Sequence, residues 1–373
     1  MVNKRASIFF LVLIAAVALL LVLAAAWGET ALNSPLDALR ALFSSEAGTT
    51  KTIFQLRLYR GLCAAGVGGS LALGGATAQG LFRNPLADPS LLGVSGGAGL
   101  GAMLGIAILG GHGAALFSAF GASGTPGDWL SVFGLMAIPS MALIGALAAS
   151  FVIYRWAVRQ GQLSISIILL AGLALNSLAG AAMAGLQTLL LDDVHVTRAI
   201  VSWGFGALND RGAGHALIVW IGAAGALASI PLIGLELDML ASGDADAEAL
   251  GANTARIKTL ALAAIALSTA TAVSVCGQIA FVGLLVPHLV RRIARPRHRS
   301  LMLLSFLTGA SLLLLVVVIQ NGVLPELSRR LVVEHEGAAR VVRQLALMQP
   351  GVTTSLIGAP FFLVLLMRER RRW

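Results

Sequence analysis

Lysine is nearly absent from this chain: Lys4, Lys51 and Lys258 are the three in 373 residues. No Gly-x-x-x-x-Gly-Lys-Ser/Thr run occurs, so the chain has no P-loop to cradle nucleotide phosphates. Cysteine is scarcer still. Cys63 and Cys276 each sit in an apolar stretch without a Cys-x-x-Cys neighbour, which excludes a disulfide-stapled domain. Both read as small buried hydrophobes. There is no Cys/His cluster at metal spacing and no nucleophile–base constellation, so no metal ligand and no catalytic residue is assigned. Charge is sparse too: Asp, Glu, Lys and Arg make up 12% of the chain, about half the usual ~25%. That excludes an ordinary soluble enzyme and a disordered chain.

What is present is apolar residue, 57% of the total, and 43 glycines. There is too little polar surface to cover such a core in water, so the matching solvent is lipid. Ten apolar stretches are placed at 7–27, 61–82, 90–109, 130–154, 163–188, 215–235, 257–276, 280–295, 301–319 and 351–367. The expected fold is an all-α integral membrane protein, one transmembrane domain over residues 1–373. The first stretch follows Lys4 and Arg5 and ends near Ala24-Ala25-Ala26, as a signal peptide could. Its apolar run is longer than a signal core, so it is read as a retained helix.

An even number of spans puts both termini on one side, and the basic residues indicate which. With the N-terminus inside, sixteen of the 26 Lys and Arg fall on the inner side, including Arg83, Arg155, Arg256, Lys258 and the runs at 291–299 and 368–372. The acids divide the other way, so the net charge of +9 is carried on the inner face. Membrane topology thus explains a charge that would suggest nucleic acid in a soluble protein, and no nucleic-acid partner is implied. The span interiors are almost free of ionisable groups, with His288 as the exception. Ion-coupled transporters rely on such groups at mid-membrane, so any pumping is expected to draw on another protein. Gly93, Gly97, Gly101 and Gly105 form one smooth helical stripe, and Gly66, Ser70, Gly74 and Ala78 another. Each can serve helix packing or line a pathway.

Several connecting segments are distinctive. Arg83-Asn84-Pro85-Leu86-Ala87-Asp88-Pro89 is a non-helical inner link bounded by prolines, in which Asn84 and Asp88 can satisfy loop backbone groups. Residues 236–256 form an acidic inner loop. There Gly243 and Asp244 open a short helix, Asp246 and Glu248 suit its dipole, and Gly251, after Leu250, is placed to end it. That helix reads equally as a solvated connector or as a docking knob. Gly277 to His288 reads as a glycine-bounded re-entry with Pro287 near a helix start. The charged outer stretch 320–350 suggests a surface helix, and Arg57 and Arg60 are placed just outside the second span. They serve as interfacial anchors or as partners for carboxylates on an external protein.

Together these segments resemble the permease subunits of iron-chelate, haem and cobalamin ABC importers. The resemblance rests on Leu56-Arg57-Leu58-Tyr59-Arg60, Gln79 to Pro89, Leu91 to Ser95, Leu169 to Gly172, Phe281 to His288 and Leu356 to Phe362. It implies a type II importer permease fold with about ten transmembrane helices, a second copy of the chain, two ATPase subunits and a periplasmic substrate-binding protein. It implies no cofactor in this chain, with ATP and magnesium in the partner ATPase, and a multi-pass place in the bacterial inner membrane. Carried over by position, Asn84, Leu86, Ile165 and Ser166 form the cytoplasmic gate. Arg57, Arg60 and Arg340 meet the binding protein, with Arg343 an alternative to Arg340. The 243–251 helix (Gly243, Asp244, Asp246, Glu248, Leu250 and Gly251) couples to the ATPase. Ala171 to Ala181, and the stretch from Asp192-Asp193 to Trp203-Gly204 with Gly206-Ala207-Leu208, resemble the haem-importing branch, so the cargo implied is haem, with ferric siderophore or cobalamin as alternatives. The rival from another class is an ion-coupled secondary transporter.

Overall fold

In lipid every backbone N–H and C=O must be satisfied within its own segment, so long uncharged runs form helices. The computed structural model describes residues 4–28, 49–108, 129–159, 162–163, 165–190, 194–209, 211–294, 297–332 and 336–369. Among residues singled out above, Asp192, Asp193, Arg295 and Arg370 to Arg372 lie outside these.

Each of the ten expected stretches contains a helix among the described residues. The helices are α1 (Lys4–Ala26), α2 (Thr49–Leu81), α3 (Val94–Ile108), α4 (Trp129–Ala157), α5 (Ile165–Leu189), and then, after α6 (Val194–Gly204), α7 (Ala213–Leu240). After the short α8 (Asp244–Ala249) come α9 (Thr254–Cys276), α10 (Val282–Ala294) and α11 (His298–Val318). A π-helical turn, Ile319–Val323, leads into α12 (Leu324–Leu331), followed by α13 (Glu336–Ala346) and α14 (Pro350–Glu369). Among the described residues seven helices are long and apolar enough to cross a membrane, or up to eight if the bent pair α13 and α14 is one span. With 13 residues, α10 reaches ~20 Å, short of the ~30 Å hydrocarbon core. The extended pairing among the described residues is a two-residue antiparallel hairpin, β1 (Val158–Arg159) with β2 (Gln162–Leu163).

Helix α2 is the hub. It packs against α11, α9, α7, α10 and α1, and 94% of an 18-residue apolar window within it is buried, against 17% for the corresponding windows of α1 and α5. Glycine permits the close approach: a Cβ at Gly68 would strike the Gly309 carbonyl of α11, and one at Gly75 the Gly283 carbonyl of α10. Both small-residue stripes serve helix contact. Gly97 and Gly101 face the backbone of α4 at Gly145 and Met141, while Gly66 and Gly74 face α7 and α9. Cys63 and Cys276 are fully buried free thiols.

Two boundaries differ from the sequence expectation. Helix α2 begins at Thr49 rather than near 61, so Arg57 and Arg60 lie on the helix instead of just outside it. The outer stretch 320–350 is not one surface helix: it is the π turn, α12 and α13, and α13 meets α14 at 98°. Pro350 is the first residue of α14, where its missing N–H breaks no helical bond.

Candidate functional site

At the end of the bundle expected to face inward, α2 closes in a Schellman turn. Asn84 N donates to Gln79 O at 3.2 Å and Arg83 N to Gly80 O at 3.3 Å. The residue that must adopt the left-handed conformation is Arg83, at φ 51°, where glycine is usual. The loop beyond it is held by its own side chains: Asn84 Oδ1 accepts from Leu86 N at 2.9 Å, and Asp88 Oδ1 caps the 3-10 turn Pro89–Leu92 by accepting from Ser90 N at 2.8 Å. Asn84 is exposed and Leu86 half-buried.

That turn is pinned to α5 by Asn176. Its Oδ1 accepts from Gly96 N at 3.0 Å, and its Nδ2 donates to Ser90 O at 3.0 Å. Gly172 lies so close that a Cβ there would meet the Leu91 carbonyl. Ile165, half-buried against the core, and Ser166, exposed, open the same helix. The residues expected at the gate thus sit on two segments tied through Asn176 and Gly172.

Helix α8 lies beside the loop. Gly243 precedes it at φ 124°, and a second Schellman turn ends it, with Gly251 at φ 86°, Gly251 N bonded to Glu248 O and Ala252 N to Ala247 O. Ala247 is fully buried, whereas Asp246, Glu248 and Leu250 face outward, Leu250 at 66% exposure. Asp244 is the junction: its Oδ1 is 3.4 Å from Arg83 Nη2, and its Oδ2 accepts from Lys258 Nζ of α9 at 2.5 Å. Thr254 Oγ1 donates to Glu248 Oε1 at 2.6 Å, and Asn253 caps α9. Nearby, His298 Nδ1 lies 2.6 Å from Asp238 Oδ1, tying α11 to α7.

At the opposite end a cavity of ≈ 450 Å³ is lined by Trp27, Arg57, Arg60, Asn209, Gln320, Asn321, Met348 and other residues. Arg57 is buried and its Nη1 donates to Ala26 O at 3.4 Å, while Arg60 Nη1 donates to Asn321 Oδ1 at 2.8 Å. Gln320, in the π turn, donates to Met348 O at 3.0 Å and to Thr353 Oγ1 at 2.8 Å, which holds the bend between α13 and α14. Arg340 and Arg343 lie on exposed positions of α13, outside the cavity wall. The three arginines expected to act together are therefore split into two that line the cavity, Arg57 buried and Arg60 half-buried, and one on the surface.

Sequence reasoning missed Asn176, Gln320 and the Arg83–Asp244 contact as structural devices. The one available signal was a polar amide inside each of two apolar helical runs. No group of three or more His, Cys, Asp or Glu that could hold a metal occurs among the described residues.

The segments assigned to each side of the membrane meet one another: Arg83, Asp244 and Lys258 at one end, and Trp27, Arg60, Asn209 and Met348 at the other. Comparison with known proteins fits this arrangement. The model of the FecCD transport family matches residues 13–368. The chain is 36% identical over 321 residues to the cobalamin import system permease protein BtuC of Halobacterium salinarum, covering 84% of this chain and 73% of that one. It is 36% identical over 323 residues to the hemin transport system permease protein HmuU of Yersinia pestis, covering 85% and 83%. A solved inward-facing metal-chelate type ABC transporter superposes with a TM-score of 0.72 at 25% identity, over 97% of this chain and 99% of that chain.

Proposed function

The chain belongs to the FecCD transport family and is a multi-pass permease of an ABC importer for an iron chelate, haem or cobalamin; we propose that its cargo is haem, passed from an external binding protein to the cytoplasm by alternating access. In this reading the protein sits in the inner membrane with both termini in the cytoplasm. Two copies flank the pathway, and ATP is hydrolysed in separate subunits docked on α8.

The observation that carries the mechanism is the Asp244 junction. A force applied to the exposed Leu250 face of α8 is passed by Asp244 to Arg83, and so to the loop holding Asn84 and Leu86. We assign that loop and the Ile165–Ser166 start of α5 to the cytoplasmic gate. Asn176 ties the 3-10 turn that follows the loop to α5, so a displacement of that turn is passed to α5. Outside, Arg57 and Arg60 shape the entry cavity, and Arg340 or Arg343 offers the exposed guanidinium that a carboxylate on the binding protein can grip in bidentate fashion.

Haem as cargo is supported by the uncovered face of α5. Ser166, Ala174, Ser177, Ala181 and Gly185 recur there at helical spacing, exposed and without charge. A flat, largely apolar ligand would slide along such a wall without being held. Cobalamin is the second reading, supported by equal identity to the haloarchaeal cobalamin permease. Uptake into proteoliposomes containing the permease, its ATPase and its binding protein separates the two. Haem should accumulate with ATP while cobalamin and ferric siderophore do not, and preferential cobalamin uptake would replace the proposal.

A further inference from the structure

A second cavity, of ≈ 280 Å³, lies between α4, α5 and α9 and borders the turn after the Asn84 loop. Its wall is nearly all apolar: Leu147, Phe151, Ile168, Leu262, Ala266 and Leu267 dominate, with Tyr154 and Thr259 among the few polar side chains. The lining runs from Thr259 to Leu267 along α9 and from Tyr154 back to Leu147 along α4. At 1.5 Å per residue either stretch is ~10–12 Å long, close to the depth of one hydrocarbon leaflet. Tyr154 and Thr259 stand near the helix ends expected to face inward.

Both helical stripes that form the wall continue toward that face into an arginine. On α9 the stripe Ala266, Ala263, Thr259 leads at helical spacing to Arg256, and on α4 Leu147, Phe151 leads to Arg155. Both arginines are exposed, and neither makes an ion pair or side-chain hydrogen bond among the described residues. Trp156, 57% exposed beside Arg155, is a residue type that settles at headgroup depth.

The geometry points to a binding site for one anionic phospholipid of the inner leaflet, its acyl chain in the groove and its phosphate between Arg155 and Arg256. An apolar slot about one leaflet deep, whose two wall stripes each lead at helical spacing to an exposed arginine, matches that chemistry at both ends. The occupant would touch Leu92, at the end of the 3-10 turn after the Asn84 loop, and Ile168, in the first turn of α5. Lipid composition would thereby bear on the two segments assigned to the gate. The site itself stands on the groove and the arginines, whatever the cargo.

The test uses the full chain in nanodiscs containing phosphatidylglycerol and phosphatidylcholine of identical acyl chains in equal amounts, followed by native mass spectrometry of the released protein. The wild type should retain phosphatidylglycerol in preference. Arg155→Gln with Arg256→Gln should reduce that preference about tenfold. Ala263→Trp, which fills the groove, should reduce retention of both lipids. Equal retention of the two lipids by the wild type, or a preference unchanged in the double arginine variant, would overturn the site. Were Ala263→Trp to alter the oligomeric mass while lipid retention stayed constant, the groove would belong to a subunit contact instead.

Discussion

Arg83 Nη2 stands 3.4 Å from Asp244 Oδ1, which links the left-handed residue closing α2 to the first residue of α8. Both side chains are about two-fifths exposed, so the pair adds little to folding stability, typically 0–1 kcal/mol. Its position is what gives it meaning. A backbone that would prefer glycine is occupied by a side chain that reaches across to α8.

Replacing Arg83 by glycine should therefore separate stability from coupling. Glycine relieves the left-handed strain, so the melting temperature should hold or rise, by the equivalent of about 1 kcal/mol. Uptake per ATP hydrolysed should fall several-fold. The two readouts are thermal unfolding in detergent and parallel uptake and phosphate-release assays. Charge reversal at both positions, Arg83→Asp with Asp244→Arg, should recover part of the loss that either change causes alone.

Asn176→Ala leaves Gly96 N without its side-chain acceptor and removes one of the two donors to Ser90 O, which keeps Gly93 N. Removing one partner of a buried hydrogen bond costs about 1–3 kcal/mol, so a lower unfolding temperature is expected together with reduced uptake. Asn176→Asp keeps the acceptor for Gly96 N but loses the donor to Ser90 O, and should fall between wild type and Ala.

The arginines at the outer end should divide by burial. Arg57→Glu places a carboxylate beside the Ala26 carbonyl in a buried position and should lower thermal stability. Arg340→Glu with Arg343→Glu changes exposed positions on α13, leaving stability within ~0.5 kcal/mol. This surface pair should weaken capture of the binding protein in a pull-down. Unchanged capture would remove α13 from the docking surface.

Gly75→Leu should prevent proper assembly of the bundle. A Cβ at that position already meets the Gly283 backbone, and backbone cannot swing aside as a side chain can. Loss of the monodisperse peak in size-exclusion chromatography is the expected result, whereas Gly180→Leu, with nothing within 4 Å of its Cβ, should elute normally.

Much of this architecture could be read from residues in order. Uncharged runs marked the long apolar helices because lipid admits few other structures. Gly243 and Gly251 bounded α8 because a left-handed residue beyond a helix end favours glycine. What could not be read was partnership. Arg83 and Asp244 are distant in sequence, as are Asn176 and Ser90, and periodicity names a face without naming what it meets. The early start of α2 was hidden for a related reason. Lys51, Arg57 and Arg60 give its outer turns the composition of a loop, and contacts such as the Ala26 carbonyl and Asn321 accommodate two of them within a packed helix.

The central claim is that a chain without its own motor is driven through α8. In proteoliposomes holding the permease, its ATPase and its binding protein, ATP hydrolysis and haem uptake should be recorded together for the wild type and for a chain with residues 243–251 replaced by a flexible linker. The account predicts that the replaced chain loses ATP-driven uptake while the ATPase still turns over. Full uptake by that chain, or uptake by the wild type with no nucleotide present, would contradict it.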